Sequence, residues 1–341
     1  MSDNGKKIEY IKKAVAEFHD ATGLKVEYLA QPGDEGTQAD GVIRIAYQET
    51  AWRFLVEAHP RVTRETAALI KHDTGADREK RLIVARHVPE PVADLLRELD
   101  LFFMDAAGNA YVAQPPLYIF IKGNRLKGKA LPPIKGRLFR PGGLRIIFIL
   151  LIAPEMLNRT YREIAAAAGV ALGTVGGCME NLKKAGYLIE QERGNRRLVN
   201  VGTLLKRWVE AYPEQLRPKL VRDRFETDRQ QWWQDVQITD FGAEWGAEIA
   251  AAHLTGLLKP ARAVIYTDAP LEQLVFKNRL RKAPNGPVEV LAPFWHCDHE
   301  LAGQGVVPPL LIYADLLATG DLRNIETAKV IHERYLAGLV R

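Results

Sequence analysis

The sequence contains little cysteine, and it lacks both a long apolar run and an N-terminal signal pattern. Its two cysteines, Cys178 and Cys297, are far apart and cannot form a disulfide framework, which favours a reducing compartment. The longest apolar run, residues 146–153, is much shorter than the roughly 20 residues that span a bilayer. No signal-peptide pattern precedes the first amphipathic helix. We therefore expect a cytoplasmic protein without a membrane partner.

Recognised cofactor and catalytic motifs are missing as well. The sequence has no Walker loop, nucleophile elbow or dinucleotide fingerprint, so we predict no cofactor. Four residues that could bind a metal stand side by side at positions 296–299 (HCDH). Adjacent side chains on a loop seldom converge on one ion, and structural zinc sites usually draw on separated pairs. We therefore predict no metal site there.

Acidic residues are absent between Asp105 and Glu155, whereas basic residues are frequent there. The basic side chains in this interval are Lys122, Arg125, Lys127, Lys129, Lys135, Arg137, Arg140 and Arg145. Such a stretch attracts polyanions, although alone it is equally consistent with a solvated linker. Glycines and prolines interrupt regular structure, so we predict a basic linker over residues 122–141.

The patterns on either side of this linker predict a multidomain α+β protein. Alternating helical and extended patterns over residues 1–121 indicate an α/β domain, with a helix at 6–22 and a hairpin at 41–58. Residues 203–341 mix helices, such as 245–258, with short strands and predict a mixed α/β domain for partner or dimer contacts. The tryptophans at 232, 233 and 245 could stack on bases, but such residues more often belong to the core.

Residues 142–202 predict a winged helix-turn-helix that binds DNA. A helix over 144–153 is followed by Thr160 and Glu163 in a T-x-x-E capping box, which starts a second helix. Gly169 suits the sharp turn into a third helix at 172–185, whose packing face carries Leu172, Val175, Met179 and Leu182. We read Cys178 on this helix as a small core residue. Two strands, 188–192 and 196–200, form the wing.

The residues expected to contact DNA lie on the second and third helices, the wing and the basic linker. They are Thr160, Tyr161, Arg162, Gly173, Thr174, Gly177, Asn181, Lys184, Arg193, Asn195, Arg196, Arg197, Lys135, Arg137 and Arg140. Arginines near the wing tip can reach phosphates or the minor groove. Only Thr174 and Asn181 offer base-reading hydrogen bonds, so either the glycine-rich backbone approaches DNA closely or the wing and DNA shape provide specificity. Two alternatives are a helical hairpin with a β-hairpin that serves only as core, and a winged helix for protein contacts.

Several motifs resemble a known family. These are TYREIA at 160–165, NLKKAGYL at 181–188, YPEQLRPKL at 212–220 and YADLLATGD at 313–321. Together they resemble the AbiEi-type antitoxins and transcriptional regulators of type IV toxin-antitoxin systems. The resemblance implies a repressor of its own operon that opposes a nucleotidyltransferase toxin, with or without touching it. Double-stranded DNA is the expected partner, bound by a homodimer because one winged helix would bind a half-site weakly. A regulator of plasmid or mobile-element replication or transfer is an alternative.

An enzymatic alternative concerns the N-terminal part. Asp40, followed by Glu57, Ala58 and His59, resembles the D...(D/E)-x-K signature of restriction-endonuclease-like folds, in which two carboxylates hold a divalent metal. His59 occupies the position of the lysine, and a neutral imidazole lacks its fixed charge. We therefore interpret this region as a degenerate nuclease scaffold and the protein as a regulator without enzymatic activity.

Overall fold

The computed structural model describes residues 3–29, 39–73, 81–126, 137–190 and 195–339. The chain divides into two compact units, Met1–Pro132 and Pro133–Arg341. Helices and strands alternate through both units, which confirms the predicted mixture of α and β structure.

The first unit contains a seven-stranded sheet whose strands follow one another in chain order. The pairs β3–β4 and β4–β5 are parallel, and the other neighbours are antiparallel. The strands are β1 (Lys25–Leu29), β2 (Val42–Tyr47), β3 (Thr50–His59), β4 (Arg81–Ala85), β5 (Phe103–Asp105), β6 (Ala110–Gln114) and β7 (Leu117–Ile121). The helices are α1 (Asp3–Thr22), α2 (Arg64–Asp73) and α3 (Glu90–Glu98).

The helix α1 covers one face of this sheet because its apolar residues recur at helical spacing. Ile11 and Phe18 are fully buried in a cluster with Phe54 and Val56, which alternate along β3. The predicted opening helix and the β2–β3 hairpin are confirmed. The strand β1 was not predicted: none of its residues is fully buried, and its extended form depends on pairing with β2.

The second unit begins with a central segment, residues 137–200. Its elements are α4 (Pro141–Ile152), α5 (Tyr161–Ala168), α6 (Leu172–Lys184), β8 (Leu188–Glu190) and β9 (Arg196–Leu198). The helix α4 is apolar on nearly all sides and is correspondingly buried from Gly143 to Leu151, apart from Arg145. The first helix, second helix, third helix and hairpin predicted from the sequence are therefore present, and the second strand of the hairpin ends at Leu198, two residues earlier than expected.

The C-terminal segment, residues 201–339, contains a five-stranded sheet in the order β11-β12-β14-β10-β13. Only β12 and β14 pair in parallel. Its elements are α7 (Val201–Gln215), β10 (Val221–Glu226), β11 (Ala243–Gly246), α8 (Ala247–Thr255), β12 (Ala263–Thr267), α9 (Glu272–Lys277), β13 (Arg281–Lys282), β14 (Val288–Leu291), α10 (Pro309–Thr319) and α11 (Leu322–Ile331). The helix predicted over 245–258 was partly wrong, because Trp245 pairs with Ile265 in the sheet and the helix begins at Ala247.

The central and C-terminal segments share one apolar core. The ring of Phe148 on α4 lies 5.4 Å from Trp208 on α7 and 4.8 Å from Phe294, between ring centroids. The Trp208 indole also donates a hydrogen bond of 2.8 Å to the Leu144 carbonyl. Buried aromatic contacts of this kind fix one element against another. The central segment is thus held by the segment that follows it.

Candidate nucleic-acid interface

The start of α5 is fixed by the predicted capping box. The Thr160 hydroxyl accepts from the Glu163 amide at 3.2 Å, and the Glu163 carboxylate accepts from the Thr160 amide at 2.8 Å. The Thr160 hydroxyl also donates to the Glu163 carboxylate at 2.7 Å. This hydrogen bond, the one from the Thr160 amide and the charge of Arg159 lower the pKa of Glu163. Two amides that helix geometry leaves unpaired are therefore satisfied locally.

The turn between α5 and α6 depends on Gly169. This residue adopts the left-handed conformation (φ 59°), which costs glycine little and ends α5 abruptly. The Arg145 guanidinium donates to the Gly169 carbonyl at 3.2 Å, so α4 also holds the turn. The angle between α5 and α6 is therefore set by backbone conformation and by a contact from the buried helix.

The helix α6 has a buried face and a solvent-facing face. Val175, Cys178, Met179 and Leu182 are buried, whereas Gly173, Thr174, Gly177 and Lys184 are exposed. Leu172 was expected on the packing face, but it is 51% exposed because the first turn of α6 projects beyond the core. Cys178 is buried, and burial raises the pKa of its thiol to about 12, which confirms its reading as a core residue.

Side chains on the solvent-facing side of α6 are partly engaged within the helix. The Asn181 amide donates to the Gly177 carbonyl at 2.7 Å, and Lys184 pairs with Glu180 at 2.6 Å. The Thr174 side chain is close to α4, since a Cβ added at Gly142 would lie 2.9 Å from its methyl group. Glu180, which the sequence reasoning did not include, gives this face one carboxylate.

The hairpin β8–β9 is attached to the start of α5 by Asn158, another residue that sequence reasoning missed. The side-chain oxygen Oδ1 of Asn158 accepts from the Arg196 backbone amide at 2.7 Å, and the Arg196 guanidinium donates to the Arg159 backbone carbonyl at 2.7 Å. The guanidinium carbon of Arg196 also lies 5.2 Å from the centre of the Tyr161 ring. Arg196 is therefore half-buried and fixed.

The remaining predicted contact residues occupy different positions. Asn195 and Arg197 of the hairpin, Arg162 on α5 and Arg140 before α4 are exposed. Arg193, Lys135 and the side chain of Arg137 lie outside the described residues. The structure thus brings the exposed residues of α5, α6 and β9 into one segment, which also carries Arg140 at its start.

The carboxylates of the nuclease-like pattern are engaged in contacts within the first unit. Asp40 accepts from the Ala58 amide at 2.8 Å and pairs with Lys7 at 2.7 Å. Glu57 contacts His59 at 2.9 Å. The Asp40 carboxylate therefore satisfies a backbone amide of β3 beyond the point where β2 ends. Within the described ranges, no group of three or more His, Cys, Asp or Glu residues is arranged to hold a metal.

The HCDH sequence at 296–299 contacts two different parts of the second unit. The His296 amide donates to the Ala167 carbonyl at 2.8 Å, so this end contacts α5. His299 instead lies 3.4 Å from Glu244. Burial raises the pKa of the Cys297 thiol, with contributions from Glu155 and Asp298. Part of this sequence joins the C-terminal segment to the central segment.

A largely buried ionic cluster in the C-terminal segment was also missed from sequence. Arg217 contacts Asp315 at 2.7 Å and Glu289 at 2.6 Å, and the Tyr266 hydroxyl donates to Asp315 at 3.0 Å. Tyr212 shares a hydrogen bond of 2.8 Å with Tyr266. Burial alone would lower the pKa of Arg217. The negative charge of Asp315 outweighs this effect, so the pKa of Arg217 is raised above its usual value. Tyr212, Arg217 and Asp315 belong to two of the family-like motifs, which could have indicated their proximity.

Comparison with known proteins finds one family match, in the C-terminal part of the chain. Residues 197–337 match the family model described as transcriptional regulator, AbiEi antitoxin, type IV TA system. The matched range includes the motifs at 212–220 and 313–321 and agrees with the resemblance to this family seen in them. No curated protein and no solved structure matches the chain. Within the part of the chain that the structure describes, no helix is long and apolar enough to cross a membrane.

Proposed function

We propose that this protein is a cytoplasmic regulator that binds double-stranded DNA through a winged helix-turn-helix, represses its own operon and acts as an AbiEi-like antitoxin. The observation that carries the proposal is the solvent-facing side of α6 on a buried three-helix core, with the β8–β9 hairpin attached beside it. In a winged helix, these are the elements that meet the major groove and the adjacent phosphates. The family match supports the regulatory part of the proposal.

Arg197 provides the sharpest test, because its side chain is exposed on the hairpin and makes no hydrogen bond or ion pair among the described residues. Phosphate contacts supply most of the affinity and make it salt-dependent. Binding to the DNA upstream of the reading frame would be measured by fluorescence polarisation at several salt concentrations. Arg197→Ala should weaken binding several-fold and reduce the salt slope by about one.

The matched control is Lys329→Ala, since Lys329 is exposed on α11, which packs on α8 and α10. We expect this variant to bind as the wild type does. A scrambled fragment of equal length measures non-specific binding. Equal affinities of wild type and Arg197→Ala for the upstream fragment would contradict the proposed interface. Incubation with Mg²⁺ should leave both fragments intact, as expected for a regulator.

We further propose that the protein binds DNA as a homodimer and opposes a nucleotidyltransferase toxin. One winged helix whose reading face is rich in glycine would hold a half-site weakly, so two copies on a palindromic site are expected. Light scattering with and without DNA would measure the stoichiometry, and a monomer on DNA contradicts the dimer. Growth on co-expression with a neighbouring nucleotidyltransferase tests the antitoxin role separately.

A further inference from the structure

Two neighbouring cavities in the C-terminal segment share Trp233 as a lining residue. Gln231 and Trp233 line both of them. Their volumes are about 310 and 270 Å³, near the lower end of the range for small-ligand pockets. The sheet residues Ala263 and Val288 also line the first cavity, and the α8 residue Ile249 also lines the second. The indole of Trp233 is thus a wall shared by two concave spaces.

The two adjacent tryptophans have different environments. Trp232 is 3% exposed and packs edge-on against Trp245 at 5.7 Å, so it belongs to the core. Trp233 is half-exposed and has no aromatic neighbour among the described residues. Gln231 before them adopts a left-handed conformation (φ 51°), which is unfavourable for a residue with a side chain. The turn therefore directs one indole inward and leaves the other accessible at the cavities.

The cavity lining combines cations and amides and contains no carboxylate. Arg229 and Lys259 make no side-chain hydrogen bond or ion pair within the described ranges, and the side chains of Gln230, Gln231 and Gln234 are likewise without one. The neighbouring Asp228 is paired with Arg281 at 2.5 Å. Unpaired cations near an accessible indole fit a ligand that has both a planar aromatic ring and anionic groups.

We propose that these cavities bind a nucleotide, with its base stacked on Trp233 and its phosphates held by Arg229 and Lys259. The glutamine amides can donate to and accept from the edge of the base. The nucleotide can be free in solution or part of a single-stranded nucleic acid, because both present the same base and phosphate chemistry. The proposal does not depend on DNA binding by the central segment.

The test measures binding of each of the four ribonucleoside triphosphates and of a short single-stranded RNA to the full-length protein by calorimetry. At least one of these ligands should bind saturably at concentrations below about 1 mM. Trp233→Ala should weaken binding about ten-fold or more, and Trp233→Phe should weaken it less because a ring is retained. The corresponding nucleosides are titrated as a comparison, and Arg229→Ala and Lys259→Ala should weaken binding of the triphosphate more than binding of the nucleoside.

Two control variants match these changes. Phe276→Ala removes an aromatic ring that is 85% exposed and does not line either cavity, and Lys329→Ala removes a distant cation. Neither should change nucleotide affinity. Binding of RNA without binding of free nucleotides supports the site and assigns it to a strand. Failure of all five ligands to bind, or equal binding to wild type and to the folded variants Trp233→Phe and Arg229→Ala, overturns the proposal.

Discussion

The packing of the protein itself does not explain the glycines on the solvent-facing side of α6. A Cβ added at Gly173 or Gly177 would meet no atom within 4 Å, whereas one at Gly142 would lie 2.9 Å from the Thr174 methyl group. Glycine inside a helix costs about 1 kcal/mol relative to alanine. These glycines destabilise the helix without relieving a clash. Their presence is explained if a partner molecule must approach the helix backbone closely. DNA in the major groove is the partner that fits the proposed function.

The first prediction follows from Gly177. Gly177→Ala should raise the free energy of unfolding by roughly 0.5–1 kcal/mol, because alanine is the better helix former and has room there. The same methyl group should weaken binding to the upstream DNA several-fold by keeping the backbone away from the groove. Urea denaturation and fluorescence polarisation measure the two effects.

A control separates close approach from a general effect of the substitution. Gly338→Ala also adds a methyl group that meets nothing within 4 Å, at a position outside the central segment. It should leave DNA affinity unchanged. If Gly177→Ala also binds DNA like the wild type, specificity comes from the hairpin and from DNA shape rather than from contact with α6.

The second prediction concerns the buried thiol of Cys178. Burial raises its pKa to about 12, whereas an unfolded cysteine titrates near pH 8.5. A pKa that is higher in the folded state contributes stability that is complete below about pH 8.5 and is lost as the pH rises towards 12. This thiol should lower the free energy of unfolding by up to about 1.4 kcal/mol per pH unit in that window.

Cys178→Ala isolates this effect from the titration of lysines and tyrosines, which both proteins share. Urea denaturation between about pH 8 and pH 10 should show a smaller decline in stability for the variant than for the wild type. Parallel declines would mean that the thiol is not held protonated by burial. The native Cys178 thiol should also fail to react with a thiol reagent that modifies the unfolded chain.

At the scale of elements, α5 gives the third prediction. Thr160→Ala removes the hydroxyl that accepts from the Glu163 amide, so the free energy of unfolding should fall by about 1 kcal/mol. Thr203→Ala makes the same chemical change at an exposed position within α7 and should be neutral or slightly stabilising. Urea denaturation compares them. Equal losses from both variants would show that the cap contributes nothing.

The elements that could be predicted from sequence are those whose signals are local. The capping box at Thr160 and the left-handed Gly169 contain their own hydrogen-bonding and conformational instructions, and both occur as predicted. Other elements depend on partners elsewhere in the chain. These are the strand β1 and the first residues of the predicted 245–258 helix, which form a strand instead. Trp245 pairs with Ile265 and bridges to Val306, so pairing decides its conformation against its helical pattern.

The candidate site shows the same division. The order of helices and the exposure of Gly173, Thr174 and Gly177 followed from periodicity. The contacts of Asn158 with Arg196 did not, because they join residues that are 38 positions apart. Trp233 could be named from sequence as an aromatic residue, but its accessibility depends on Trp232 having taken the core position.

At the scale of the whole molecule, contacts run continuously from the central segment to the ionic cluster. Phe148 of α4 lies 5.9 Å from Trp295, which lies 5.6 Å from Tyr266, whose hydroxyl donates to Asp315. These residues are far apart in sequence, and none of their contacts was predicted. Because the second unit has one shared core, its two segments should open and unfold together.

Asp315 allows this coupling to be measured. Asp315→Asn removes the charge that faces Arg217 in a buried site but leaves Glu289 as a partner. The loss should therefore be about 2 kcal/mol, below the roughly 3–5 kcal/mol for an ion that loses its only partner. In native-state hydrogen exchange, amides of α6 should then exchange faster by the same factor as those of α10, although α6 does not contain the substitution.

The first unit supplies the internal reference for this experiment. The helix α1 lies in a separate compact unit with its own core, so its protection should be unchanged by Asp315→Asn. Faster exchange in α10 alone would mean that the central segment opens independently, and the shared aromatic core would then not couple the two segments. Equal acceleration in α6 and α10 would show that an event in the region that matches the antitoxin family changes the stability of the proposed DNA-binding helix.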